Sequence, residues 1–479
     1  MTHTSRTLTN EHPVRAWLGI PFATAERFRR PVLLPFNPDL PYDQKGPAPL
    51  QAGDTSWLEA DNGFSEHCLN LNVWAPEDAG DAPLPVVVYI FGGGFEVGAN
   101  TQTTSNASGL AATGRVVGVS LNYRLGPFGW LSLSQYGGAL EEATNLGLQD
   151  IITALRWVQE NIARFGGDPG NVTVTGHSAG SMSSIALLAA PAADGLYQHI
   201  ASFSGATSRT VPAWWAEELA ERLLRELNIQ HAPEELLHVD AQLLATSLAK
   251  VSPRELGERN SVDNTTLGIV DDHAQPGGVL IGHPFSVVES GRRRDIDILL
   301  SSATEEVDYW VINKIAGFDP GSLDHLIDEL VLKSRVPRSW AKRIVDAYSV
   351  NGRSTAQVRA DLFTDFIFTL PVTRAALAHS AAGGTTHRLV IGSAEGAPAV
   401  HGTEMYGIVG QERPGASDEQ IVRDTFVRDA LLTFASGNTD HLWAPVTATP
   451  TAKGIGNLTY DPTTHAETVL EVFNGIERP

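Results

Sequence analysis

The sequence predicts an α/β protein built on a mostly parallel sheet covered by helices. Three observations carry this. Short runs rich in Val, Ile and Leu recur along the chain, and most are nearly continuous rather than alternating, as strands buried on both faces require. Helical patterns fall between them, so successive strands need crossover connections. Finally, 42% of the 479 residues are apolar and 19% charged, enough for a sizeable core, which excludes disorder, coiled coil and collagen.

The elements follow in chain order. Val86–Phe91 and Val116–Tyr123 are apolar runs of strand length. Asn145 to Phe165 places Leu148, Ile151, Ile152, Leu155, Val158 and Ile162 at helical spacing, and Gly166-Gly167 stops it. Val172–Gly176 is the next strand, and the helix after it starts at Ser178 and ends near Ala190, before Pro191. His199–Ser204, Ile296–Ser302 and Arg388–Gly392 complete the strand candidates. From about Val211 to Val288 the chain changes character. Trp214–Leu227 is amphipathic, and short acidic helical patterns follow without a convincing strand. Residues 307–385 are similar, with helix-like Leu323–Leu332 and Ser339–Tyr348. No Pro/Gly/Ser-rich linker marks a boundary. The expected organisation is one catalytic domain over residues 1–479 with helical insertions at about 211–290 and 307–385. Asp418–Phe434 is a late amphipathic helix that could pack on the sheet or serve a dimer.

Charge and cysteine content narrow the function. Lys and Arg number 34 against 55 Asp and Glu, a net charge of −21. That field repels phosphate backbones and anionic lipid, so neither nucleic acid nor a membrane surface is an expected partner. The single cysteine, Cys68, excludes an intrachain disulfide and any Cys-rich metal site. Met1–Asn10 is polar and reads as no signal peptide, and runs such as Pro85–Phe91 and Ile185–Ala193 are too short to span a bilayer. A reduced, cytoplasmic setting is the expectation.

The sharpest chemical signal is Gly176-His177-Ser178-Ala179-Gly180, between a strand and a helix. A G-x-S-x-G elbow needs this context: a tight, strained turn lifts the serine above the sheet, and glycines avoid clashes with neighbouring backbone. The helix N-terminus favours developing negative charge. The second signal is Phe91-Gly92-Gly93-Gly94-Phe95, a Gly-rich loop at a strand end whose amides can hold an oxyanion. Its spacing misses the dinucleotide fingerprint, and no Gly-Lys-Ser/Thr follows.

Several longer blocks together resemble the type B carboxylesterase and cholinesterase family of α/β-hydrolases. They are Ser65-Glu66-His67-Cys68-Leu69-Asn70-Leu71-Asn72-Val73-Trp74, Val87–Gly98, Asn122-Tyr123-Arg124-Leu125-Gly126-Pro127-Phe128-Gly129, Asn145–Leu148, Ala154–Val158 and Phe165-Gly166-Gly167-Asp168-Pro169. The resemblance covers most of residues 14–205, with sparser matches to about Pro462. It implies the α/β-hydrolase fold and a serine carboxylesterase acting on neutral, fairly apolar esters, without metal or organic cofactor, as a monomer or homodimer. An aryl carbamate or amide hydrolase with the same residues is the alternative chemistry. A catalytically silent binding module is the alternative outside chemistry.

The fold orders its catalytic groups Ser, acid, His. After Ile296–Ser302, the residues alone do not choose among Glu305, Glu306 and Asp308. The family's Asp-Glu-Gly pattern aligns its acid with Glu306, although Glu305 and Val307 replace the usual neighbours. Among the later histidines, which include His325, His379, His387, His401 and His441, His401 sits in a loop shortly after a strand. Ala399-Val400-His401-Gly402-Thr403-Glu404 resembles the family's His-Gly-x-Glu block. The resemblance implies a Ser178–His401–Glu306 triad and an oxyanion hole from the amides of Gly93, Gly94 and Ala179. Departures are Phe91 where many relatives carry His, His177 in place of the usual Glu, Ser181 in place of a second Gly, and a shortened loop at Thr24–Phe28. His177 is expected to be structural and to point away from the serine. Trp214, Trp215, Trp310 and Phe318 are candidates for the pocket wall.

Overall fold

Continuous apolar runs become the interior strands of a nine-stranded sheet, in a computed structural model that describes residues 12–476 apart from 79, 81, 253–265, 335 and 351. Met1–Asn10, read above as no signal peptide, lies outside the described residues. The strands are β1 (Val14–Pro21), β2 (Asn70–Pro76), β3 (Leu84–Ile90), β4 (Val117–Leu121), β5 (Gly167–His177), β6 (His199–Phe203), β7 (Asp297–Ala303), β8 (Thr386–Ile391) and β9 (Lys453–Ile455). Their spatial order is β1-β2-β4-β3-β5-β6-β7-β8-β9. Only β1–β2 and β2–β4 pair antiparallel; every later neighbour is parallel. All residues of β4 and β8 are buried, as strands covered by helices on both faces must be.

Helices α1 (Leu146–Asn161) and α2 (Ala179–Ala186) pack on the sheet where the apolar spacing places them. The loop after β4 is fixed to α1 by a buried ion pair: Arg124 reaches both carboxylate oxygens of Asp150, at 2.8 and 2.7 Å, and its backbone amide donates at 3.0 Å. Such bidentate pairs combine charge with fixed geometry.

The first insertion differs from expectation. Helices α3 (Ala213–Glu226) and α4 (Ala241–Val251) are present, but Thr210–Pro212 and Ile269–Asp271 form a short parallel ribbon. Strands of three residues are too short to show a period. The second region carries α5 (Leu323–Ser334), α6 (Arg338–Tyr348), α7 (Thr355–Thr364) and α8 (Leu370–Ala381). These helices enclose a second apolar cluster that includes Leu330, Ile344, Phe363 and, just after α9 (Pro462–Val472), Phe473. Phe318, a pocket candidate from the sequence, is buried there beneath the Arg359 guanidinium, 4.6 Å from its ring.

Candidate active site

The serine stands where β5 turns into α2. Ser178 has φ 57° and ψ −122°, a conformation costly for any residue but glycine, held because the surrounding packing over-determines it. Its amide donates to the Phe203 carbonyl of neighbouring β6 at 3.0 Å. The elbow fits tightly against the sheet: a Cβ on Gly180 would lie 2.0 Å from the Ile90 carbonyl oxygen, so only glycine lets α2 approach β3.

Two loops at the same end of the sheet complete the arrangement. Glu306 follows β7 and His401 follows β8, at the carboxyl ends where parallel sheets gather functional groups. His401 Nε2 lies 2.8 Å from Ser178 Oγ, and its Nδ1 lies 2.7 Å from Glu306 Oε2. Glu306 is wholly buried, and its other oxygen accepts from the Ala303 amide at 2.8 Å. The His401 amide donates to the Glu306 carbonyl at 3.1 Å, joining the two loops. The neighbouring carboxylates go elsewhere. Glu305 accepts from the Ala399 amide at 2.7 Å, and Asp308 accepts from the Gln357 side chain at 3.1 Å. Geometry therefore separates the three acids that residue chemistry could not.

Burial alone would depress His401. The Glu306 hydrogen bond and charge, aided by the Glu404 charge, outweigh it and hold the imidazole above its ordinary 6.5. Glu404 is itself pushed from 4.5 up to about 7, first by burial and then by the charge of Glu306. The Ser204 hydroxyl donates to it, which partly offsets the rise.

The glycine loop runs beside the elbow. The amides of Glu96 and Val97 both fold back to the Gly93 carbonyl at 3.1 Å. Among the described residues, no acceptor occupies the amides of Gly93, Gly94 or Ala179. Gly92 touches the elbow so closely that a Cβ there would meet the His177 carbonyl oxygen at 2.7 Å and Ser178 Cβ at 2.9 Å. Phe91 stacks on Tyr123 with centroids 4.5 Å apart, and the Tyr123 hydroxyl donates to the Phe91 carbonyl at 2.8 Å.

His177 departs from the expectation. Its ring packs against the ring of His401, with centroids 4.5 Å apart, and it borders the cavity above Ser178. Its Nε2 lies 3.9 Å from Glu404 and, among the described residues, has no hydrogen-bond partner. Burial, then the proximity of His401, push it well below the ordinary imidazole value, so it is a neutral ring at neutral pH. Sequence reasoning missed this contact, as it missed Glu404, Ser204 and Phe368, whose ring lies 4.8 Å from that of His401. The cavity encloses about 420 Å³, with Met182, Trp215, Trp310, Phe366 and Phe368 on its walls. Trp215 and Trp310 thus line it as anticipated. Trp214 is instead 44% exposed and stacks on Trp215. Cys68 is buried as a free thiol, and burial raises its pKa. Among the described residues, no group of three or more His, Cys, Asp or Glu could hold a metal ion.

The sheet order, with two antiparallel pairings leading into a parallel run and a serine elbow at its centre, defines the α/β-hydrolase class. The chain belongs to the carboxylesterase family, whose sequence pattern matches residues 4–435. It is 35% identical over 387 residues to the para-nitrobenzyl esterase of Bacillus subtilis, covering 78% of this chain and 74% of that relative. It is 35% identical over 274 residues to cholinesterase 1 of Branchiostoma lanceolatum, covering 55% and 74%. Among solved structures it is similar to a carboxylesterase of Geobacillus stearothermophilus, with a TM-score of 0.81, 27% identity and coverage of 95% and 96%. A PNB esterase structure matches with a TM-score of 0.80, 30% identity and the same coverage. The protein is a serine hydrolase acting on ester bonds. Among the described residues, no helix is long and apolar enough to cross a membrane.

Proposed function

We propose that the protein hydrolyses neutral, fairly apolar carboxylic esters through an acyl-enzyme on Ser178. The observation that carries this is the unbroken line from Glu306 to His401 to Ser178, with contacts of 2.7 and 2.8 Å. Neutral His401 takes the hydroxyl proton as Ser178 Oγ attacks the ester carbonyl, then delivers it to the departing alkoxide. Glu306 holds the Nδ1–H tautomer and stabilises the imidazolium that forms between these steps. The oxyanion is received by the amides of Gly93, Gly94 and Ala179, which cost no reorganisation because the loop and elbow already fix them. Water then attacks the acyl-enzyme with His401 again as base, releasing the acid.

The largely aromatic wall supports an apolar substrate, and similarity to a para-nitrobenzyl esterase supports an arylalkyl or aryl alcohol part. We take the chain as one catalytic domain carrying two helical insertions, working as a monomer or homodimer. A cytoplasmic setting suits its single cysteine, buried as a free thiol. The test is a pre-steady-state burst of p-nitrophenol from p-nitrophenyl acetate and butyrate. Wild type should release close to one equivalent per chain, and Ser178→Ala none. A burst that survives in Ser178→Ala would sink the assignment.

A further inference from the structure

The cavity wall beside His401 is an irregular stretch of helix. Between α7 and α8 the chain makes a five-residue π turn, Asp365–Thr369, instead of continuing as α-helix. Such turns carry an extra residue and poorer hydrogen bonding, and they concentrate at functional sites. Here the turn puts Phe366, Ile367 and Phe368 on the cavity wall, and Phe368 packs against His401.

The turn is held from behind. The Asp365 carboxylate is buried and accepts from the Tyr348 hydroxyl at 2.8 Å and from His465 Nε2 at 2.9 Å. Tyr460 stacks on the His465 ring, with centroids 4.0 Å apart, and Phe473 stacks on Phe366 at 5.3 Å. On the other side, the Val307 amide donates to Thr364 Oγ1 at 3.1 Å, tying the start of the turn to the loop that carries Glu306. A buried carboxylate is tolerated only with its partners in place, so the two donors fix Asp365 and with it the register of the turn. None of Tyr348, Asp365 and His465 borders the cavity.

We propose that Asp365, clamped between Tyr348 and His465, is a positioning residue that sets the aromatic wall beside His401 and so selects the alcohol part of the ester. The alcohol side follows from proton delivery: the leaving oxygen must come within reach of His401 Nε2, and the π turn bounds the cavity there. This rests on the ester-hydrolase reading above.

The experiment compares wild type with Asp365→Asn and Tyr348→Phe on two series. Phenyl, benzyl and 1-naphthyl acetates vary the alcohol; p-nitrophenyl acetate, butyrate and hexanoate vary the acyl group. Tyr348→Phe removes only a hydroxyl from a half-buried ring, so it tests the clamp even if Asp365→Asn fails to fold. The ratios of kcat/KM across the alcohol series should change about tenfold, a loss comparable to that of one methylene-sized contact in an apolar pocket. The change should fall on KM rather than kcat, with acyl-series ratios preserved. Lower thermal stability with both sets of ratios intact would reduce the clamp to a structural role and overturn the proposal, as would a shift confined to the acyl series. Wild type that turns over none of these esters would instead overturn the ester-hydrolase reading, and the clamp with it.

Discussion

Replacing Glu306 by glutamine keeps the side chain's size but leaves two donors facing it, the Ala303 amide and His401 Nδ1, with one acceptor oxygen between them. The NH₂ group must oppose one donor: facing His401 it forces the wrong tautomer, and facing the Ala303 amide it leaves that buried N–H unpaired. The charge is lost as well. At an effective dielectric of about 20, unit charges 2.7 Å apart are worth about 6 kcal/mol, between about four and five decades in rate. The amide dipole returns part of this, and we expect kcat to fall by about 10³–10⁴. The pH profile gives an independent sign. His401 must be neutral to act as base, so wild-type kcat/KM should fall as pH drops through a value above 6.5, where Glu306 holds it against burial. In Glu306→Gln burial is opposed by Glu404 alone, and the acid limb should move downward. The assay is kcat/KM for p-nitrophenyl acetate over about pH 5 to 9, spanning the imidazole range. A loss below about tenfold, or an acid limb that stays in place, would refute Glu306 as the partner of His401.

Two further outcomes follow from neighbouring contacts. Glu404 titrates at about 7 in the fold against 4.5 unfolded, so its contribution to stability is full below 4.5 and lost as pH rises through about 7. Glu404→Gln removes that titration. Its urea stability should decline less than that of wild type between about pH 5 and 8, by about 2–3 kcal/mol, and parallel declines would contradict the shift. Gly92→Ala drives a methyl against the His177 carbonyl and Ser178 Cβ, so loop and elbow must separate. We expect kcat to fall about 10²-fold, the scale of one lost oxyanion donor, and stability by about 1–3 kcal/mol. Wild-type turnover with unchanged melting would show that this approach does not matter.

The interior of the sheet was legible because parallel strands buried on both faces are written as largely apolar runs, and β3 to β8 each overlap one of the strands read from the sequence. The edges were not. β2 carries Asn70 and Asn72 inside the protein, where Asn72 accepts from the Gly19 amide at 2.8 Å and Asn70 donates to the Pro47 carbonyl at 2.9 Å; such residues look like a loop until their partners are seen. β9 is three residues containing a lysine and a glycine, with no pattern to detect. At the candidate site, the placing of Ser178 and His401 at strand ends was legible because each stands in a motif after a strand. Glu306 needed either the family pattern or the geometry. The packing of His177 on His401 was not foreseen because chain adjacency says nothing of a ring brought to it from residue 401. The π turn escaped because one extra residue breaks the helical spacing by which helices are recognised.

His401 is 223 residues along the chain from Ser178 and 95 from Glu306. The elbow is a local strand–turn–helix unit, whereas the His401 imidazole reaches it only once β8 has joined the far side of the sheet. Contacts so distant in sequence are late and slow to form. In refolding, recovery of esterase turnover should therefore lag behind the burial of Trp157 between α1 and the sheet. Turnover thus doubles as a clock for the last step of assembly, and a chain arrested before β8 docks would carry a strained serine with no imidazole beside it.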